Sequence, residues 1–154
     1  MSCVDVETFL AHAIALEREA ARRYEELSAA MHTEGNRALK DFFARMAHFS
    51  RLHLAEAQAR GGFRTLPALR DDEYQWPDGI APETADWAGV DGFLDGTAAL
   101  KLALDSEQRG HAYYAAVSAT TRDPETRRLA GEFAAEEAQH VAELRRLIAA
   151  RSAA

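Results

Sequence analysis

Two residues near the C-terminus have the types and the spacing of metal ligands. Glu137 and His140 are three residues apart, so on a helix their side chains lie about 60° apart around the axis and can reach one point. They interrupt an apolar stripe, and a buried carboxylate is unfavourable unless it is paired or coordinated. A carboxylate and an imidazole at this spacing can bind one metal, but the pair alone proves little, because Glu-x-x-His also occurs by chance in charged helices. The stripe consists of Leu129, Phe133, Val141, Leu144, Leu147 and Ile148.

Similar polar residues interrupt the apolar stripes of three other predicted helices. These are Glu17, His53 and Glu107. An offset of 90 residues places Asp5, Leu10, Glu17, Ala20, Tyr24 and Leu27 on Asp95, Leu100, Glu107, Gly110, Tyr114 and Val117. An offset of 87 residues places Asn36, Met46, His53 and Leu54 on Asp123, Phe133, His140 and Val141. Caps, core positions and polar interruptions repeat together, which predicts a duplicated helical hairpin rather than unrelated helix-edge residues.

The apolar periodicity predicts an all-α four-helix bundle within one domain, residues 1–154. The first hairpin covers residues 5–60 and the second 92–150, and a long crossover over 61–91 joins them. This crossover contains three of the four prolines, and we expect Tyr74, Trp76 and Trp87 to hold it against the helices. A chain of 154 residues with 47% hydrophobic residues is long enough for one substantial core.

Composition excludes several classes of function. The single Cys3 cannot form a disulfide within the chain or a four-cysteine iron or zinc site, and it favours a reduced, cytoplasmic location. No apolar run approaches the roughly 20 residues that a membrane helix needs. A formal charge of -7 argues against nucleic acid or a membrane surface as a partner.

Three segments resemble the rubrerythrin-like branch of the ferritin-like superfamily, and the resemblance extends over nearly the whole chain. They are Leu16-Glu17-Arg18-Glu19-Ala20 leading to Tyr24, Ser106-Glu107-Gln108-Arg109-Gly110 leading to Tyr114, and Glu137-Ala138-Gln139-His140. The resemblance implies a ferritin-like bundle with a di-iron centre that reduces peroxide or oxidises ferrous iron. It also implies roles for five ligands: terminal carboxylates from Glu17 and Glu107, a bridging carboxylate from Glu137, and one imidazole per metal from His53 and His140.

The chain departs from the family pattern at Ser50, where the second bridging Glu is expected. One negative charge is missing, and one bridge between the metals must come from water, hydroxide or another anion. Tyr24 and Tyr114 are expected beside the site as hydrogen-bond donors or radical traps, although packing alone would also explain them. Carboxylates with one imidazole per metal suit two iron ions, and manganese or zinc are alternatives.

Three functional hypotheses follow from these residues. The first is a non-haem di-metal oxidoreductase acting on peroxide or ferrous iron. Because the chain has no room or cysteines for a rubredoxin domain, electrons would come from a separate donor or from ferrous iron itself. The second is a metal-binding or iron-handling protein without turnover, which Ser50 favours. The third is a bundle that has lost its metal function.

The sequence also supports expectations for the remaining polar residues and for the oligomeric state. Glu56 is expected to be solvated, and His12, His32, His48 and His111 are expected at helix edges or on the surface. Helical bundles of this size often pair along a helix face, so a homodimer is one expectation.

Overall fold

Four long helices form the part of the chain described by a computed structural model, residues 5–62 and 95–153. They are α1 (Val6–Glu34), α2 (Arg37–Gly61), α3 (Gly96–Thr120) and α4 (Pro124–Ala153). The described residues contain no β-strand. Most of the predicted crossover, including its aromatic residues, lies outside them. None of the described helices is long and apolar enough to cross a membrane.

The helices begin at side-chain caps that repeat between the two halves. Asp5 and Asp95 each accept a hydrogen bond from the backbone N–H three residues later, at 2.8 and 2.7 Å. Asn36 caps α2 in the same way at 3.1 Å, and Asp123 caps α4 at 2.8 Å. These bonds satisfy backbone donors that a helix leaves unpaired at its first turn. Gly35 ends α1 with a left-handed φ of 85°, a conformation that glycine adopts without a steric penalty.

The helices pair as two hairpins, α1 with α2 and α3 with α4, and α1 also contacts α3 and α4. This arrangement confirms the predicted ferritin-like bundle of two helical hairpins. Each hairpin has a short turn, so its two helices run antiparallel and bury their apolar stripes against each other.

The apolar core is divided into two clusters with a polar layer between them. One cluster contains residues from the end of α1, the start of α2, the start of α3 and the end of α4, and includes Leu27, Phe43 and Leu144. The other contains residues from the opposite ends of the same four helices, and includes Phe9 and Phe133. On every helix, the predicted metal ligands fall between the residues of the first cluster and those of the second. The fold thus places polar groups from all four helices at one height.

Candidate metal centre

All five predicted ligands meet in this polar layer, and their donor atoms form two adjoining groups. In each group the donor atoms lie within 4.8 Å of one another. The first group contains Glu17, His53 and Glu137, and the second contains Glu107, Glu137 and His140. Glu137 belongs to both groups, as a carboxylate that bridges two metal ions would. Four of the five residues are buried, and the side chain of His140 is 14% exposed.

The first group connects α1 to α2 and α4. Nδ1 of His53 lies 3.4 Å from Oε1 of Glu17. The same carboxylate oxygen accepts a hydrogen bond of 2.9 Å from the hydroxyl of Tyr114, which is on α3. Glu17 is therefore held by a residue of the other hairpin, although its position on the helix stripe already turns it inward.

The second group repeats this arrangement with the hairpins exchanged. Nδ1 of His140 lies 3.6 Å from Oε2 of Glu107 and 3.9 Å from Oε2 of Glu137. The hydroxyl of Tyr24, on α1, donates a short hydrogen bond to Oε1 of Glu107, on α3. Each tyrosine therefore donates a hydrogen bond to a ligand carboxylate of the other hairpin. A catalytic role for Tyr24 and Tyr114 stays a prediction.

Burial and hydrogen bonding shift the proton affinities of these side chains. Burial raises the pKa of Glu17, and hydrogen bonds from His53 and Tyr114 oppose part of that increase. Burial by itself lowers the pKa of both histidines, but the carboxylates facing them reverse this effect. The pKa of His53 is raised by Glu17, and the pKa of His140 is raised by Glu107. A metal ion entering the site would therefore displace protons from these groups.

Two buried atoms that could coordinate a metal show that the residues fit one. Within the described residues, Oε2 of Glu107 and Nδ1 of His140 have no hydrogen-bond partner, and they face each other at 3.6 Å. An unsatisfied buried polar group costs about 1–3 kcal/mol. A divalent cation between them would satisfy both atoms, and Glu137 lies within reach of the same point. The residues therefore fit a metal ion held by carboxylate and imidazole.

A groove between α2 and α4 leads from the surface to both histidines. Its volume is about 460 Å³, which is enough space for water or a small substrate. It is lined by Phe49, Leu52, His53, Glu56, Glu136, Gln139, His140 and Glu143. Glu56 is only partly exposed here and lies 3.7 Å from Arg60. Its side chain is 39% exposed and it belongs to neither ligand group, which agrees with the expectation that Glu56 is solvated and is not a substitute ligand.

Sequence reasoning missed Glu136. One of its carboxylate oxygens is in close contact with Nε2 of His53, the ring nitrogen opposite the one that faces Glu17. Glu136 precedes Glu137 in the chain and lies about 100° from it around the helix, at the margin of the buried stripe. Its acidic type next to Glu137 was the available signal, but its direction depends on how close α2 approaches α4.

Ser50 and His12 are two further polar residues whose environments were predicted from the sequence. Ser50 is buried on the inner face of α2, but it belongs to neither ligand group. His12 was expected at an edge or on the surface, and this expectation is wrong. Its side chain is fully buried, its Nδ1 lies 2.9 Å from the carbonyl oxygen of Thr8, and its ring stacks on Tyr113. His12 is also outside both ligand groups.

A solved structure shows the same architecture. The chain matches the crystal structure of an uncharacterized conserved protein from Magnetospirillum magnetotacticum MS-1 with a TM-score of 0.81 and 41% sequence identity. The match covers 94% of each of the two chains. No protein-family model and no curated protein matches the chain. Identity at this level over nearly the full length of both proteins shows common descent, and the chain belongs to the same protein family as this conserved Magnetospirillum protein.

Proposed function

We propose that this protein is a non-haem di-metal oxidoreductase of rubrerythrin type, which reduces peroxide or oxidises ferrous iron. The observation that carries the proposal is the pair of adjoining ligand groups that share Glu137. A structural polar layer would need its carboxylates paired with one another or with cations of the protein. Here two facing donor atoms, on Glu107 and His140, lack a hydrogen-bond partner within the described residues.

The ligand types favour two iron ions. Each group offers two carboxylates, one of them shared, and one imidazole. Carboxylate oxygens with a single imidazole suit iron or manganese, and zinc would also bind because the affinity of such ligands does not exclude it. Two bound ferrous ions would supply the two electrons that convert a peroxide, with two protons, to water or to water and an alcohol.

The protein's own side chains would orient the ligands and hold protons nearby. Tyr24 and Tyr114 donate hydrogen bonds to Glu107 and Glu17, which fixes the orientation of both terminal carboxylates. Glu107 accepts from Tyr24 through Oε1, and its Oε2 faces His140. The groove on the α2 and α4 side brings a small substrate to His53 and His140, and the apolar side chains of the two clusters exclude bulk water from the remaining sides.

We further propose that reducing equivalents come from a separate electron donor or from ferrous iron as substrate. The proposal rests on the cysteine content of the chain, because a single cysteine cannot build a rubredoxin-type iron site.

Metal content and reactivity test the proposed function. Protein prepared with iron, manganese and zinc in competition is measured by elemental analysis, and we expect about two ions per chain, as the two ligand groups require. The ferrous protein is then mixed with hydrogen peroxide in a stopped-flow instrument, and we expect rapid oxidation at two irons per peroxide. A metal content near zero would overturn the proposal and would favour a bundle that has lost its metal function.

A second candidate function is metal binding or iron handling without turnover. The observation that favours it is Ser50, which is buried on α2 but supplies no carboxylate to either ligand group. With three carboxylates, the site carries less negative charge to stabilise an oxidised pair of metals. Two tightly bound ions that peroxide oxidises no faster than free ferrous iron would select this candidate over the oxidoreductase.

A further inference from the structure

The contact between Glu136 and His53 has the form of a support for a metal ligand. Nδ1 of His53 faces Glu17 within the first ligand group, and Nε2 contacts the carboxylate of Glu136 on the groove side. Imidazole ligands commonly donate their second N–H to a carboxylate, which fixes the tautomer and the ring orientation. With the proton of Nε2 on the side of Glu136, the lone pair of Nδ1 is directed at the ligand group.

Glu136 differs from the two other acidic residues of the groove. Glu143 forms an ion pair of 2.6 Å with Arg45, and Glu56 lies 3.7 Å from Arg60. Glu136 instead directs its carboxylate to the histidine. Its charge is therefore applied to the metal site, whereas the charges of Glu143 and Glu56 are largely compensated by arginines at the surface.

The ligand carboxylates carry less negative charge than two divalent metal ions need for neutrality. Glu17, Glu107 and Glu137 supply three negative charges, whereas two divalent ions carry four positive charges. Ser50 adds none, although it occupies the position where the family resemblance implies a fourth carboxylate. Glu136 is a fourth carboxylate in direct contact with a ligand.

We propose that Glu136 is a positioning residue that orients His53 through Nε2 and supplies the site with the negative charge that Ser50 does not provide. This inference rests on the proposed di-metal function. It assigns Glu136 to the ion bound by Glu17, His53 and Glu137. Within the described residues, no carboxylate makes the corresponding contact with Nε2 of His140, so the two ions are expected to respond differently.

The test compares Co²⁺ binding by the full chain and by four variants. Glu136→Ala removes both the hydrogen-bond acceptor and the charge, whereas Glu136→Gln keeps an oxygen acceptor and removes the charge. Glu143→Gln changes the charge of the same groove without touching His53. Glu132→Gln is the matched control, because Glu132 lies one turn earlier on α4, is 47% exposed against 46% for Glu136, and pairs with Arg128.

Co²⁺ is titrated into the protein and its visible absorption is recorded. The number of Co²⁺ ions bound per chain at each step distinguishes binding of the first ion from binding of the second. We expect Glu136→Ala to weaken one of the two ions by roughly 10–100-fold and to leave the other nearly unchanged. Glu136→Gln should weaken the same ion by a smaller factor, because the amide oxygen still accepts the Nε2–H hydrogen bond. The control variants at Glu132 and Glu143 should bind both ions as the parent does.

A spectroscopic measurement separates orientation from a general loss of structure. In the Zn²⁺-loaded protein, the Nε2–H proton of His53 should give a slowly exchanging low-field NMR signal, assigned by its disappearance in His53→Gln. This signal should be lost in Glu136→Ala and retained in Glu136→Gln.

The outcomes distinguish the inference from the function on which it rests. If the parent binds two Co²⁺ ions and Glu136→Ala binds them equally well, the positioning role is wrong and the di-metal function stands. If Glu143→Gln loses as much affinity as Glu136→Ala, the groove acts through its overall charge and the specific contact is unimportant. A parent protein that binds no Co²⁺ overturns the proposed function first.

Discussion

Replacing Tyr114 with Phe tests the hydrogen bonds that join the two hairpins across the metal layer. The Tyr114 hydroxyl donates to Oε1 of Glu17 at 2.9 Å, and both side chains are buried. The Tyr114→Phe variant keeps the ring and its packing against Phe9 and Phe133, so the change is confined to one hydroxyl. A hydrogen bond to a charged group contributes about 1.5–3 kcal/mol. We expect the free energy of unfolding of the metal-free protein to fall by that amount.

The expected loss is large enough to measure by thermal or urea denaturation. For a chain of about 150 residues, 1 kcal/mol corresponds to roughly 2–4 °C in Tm, so Tm should fall by about 3–12 °C. The assay is denaturation followed by circular dichroism at fixed pH, with Tyr24→Phe as the matched variant, because Tyr24 makes the equivalent bond to Glu107. A double-mutant cycle with Glu17→Gln isolates the coupling between the two side chains.

A small effect of Tyr114→Phe on stability would refute the importance of this hydrogen bond. If Tyr114→Phe changes the free energy of unfolding by less than about 0.5 kcal/mol, the size of an ordinary surface substitution, the hydroxyl is not needed to satisfy Glu17. The same conclusion would follow if the double-mutant cycle gave no coupling energy.

Three further predictions concern the ligands themselves. Glu137→Ala should remove both ions, whereas Glu17→Ala should remove one, since Glu137 alone belongs to both ligand groups; equal stoichiometry by elemental analysis would contradict the bridging role. The pKa values of His53 and His140 are raised above 6.5, so their contribution to stability in the metal-free protein is complete below pH 6.5 and is lost as the pH rises through the folded-state pKa values. Burial lowers the pKa of His12, so that residue adds stability as the pH rises through about 6.5, and the test therefore uses the range above it. Urea denaturation of metal-free protein from about pH 7.5 to pH 9 should show falling stability, and a rise over this range would contradict the direction of the shifts at His53 and His140. Ser50→Glu should strengthen retention of a second iron and speed the oxidation of the ferrous site by peroxide, whereas Ser50→Ala should change little; a parent that already holds two irons and reacts as fast as Ser50→Glu would show that position 50 limits neither property.

The helices and their caps were predictable because their signals are local. An Asp or Asn before an apolar period, as at Asp5, Asn36 and Asp123, acts through a backbone N–H only three residues away. The convergence of the five ligands was also predictable, because the repeat offsets place them at matching heights in equivalent hairpins. Neither inference required knowledge of how the hairpins are rotated against each other.

The residues that sequence reasoning misplaced lie at the margins of the apolar stripes. His12 and Glu136 each occupy a helix position between the buried and exposed faces, where periodicity alone does not decide the environment. His12 is buried because the ring of Tyr113 covers it from another helix. Glu136 reaches His53 because α2 and α4 leave a groove between them. Both outcomes depend on contacts between helices that are distant in sequence.

The division of the apolar core explains how a bundle can hold so polar a layer. Large side chains such as Tyr24 and Phe43 on one side of the layer, and Phe9 and Phe133 on the other, pack in clusters that contain none of the ligand carboxylates. These clusters can hold the four helices together while Oε2 of Glu107 and Nδ1 of His140 have no hydrogen-bond partner among the described residues. A ligand that binds the folded chain and not the unfolded chain adds stability in proportion to the logarithm of its concentration. Metal binding should therefore tighten the polar layer of an already folded bundle, which leaves the site free to gain and lose ions without unfolding.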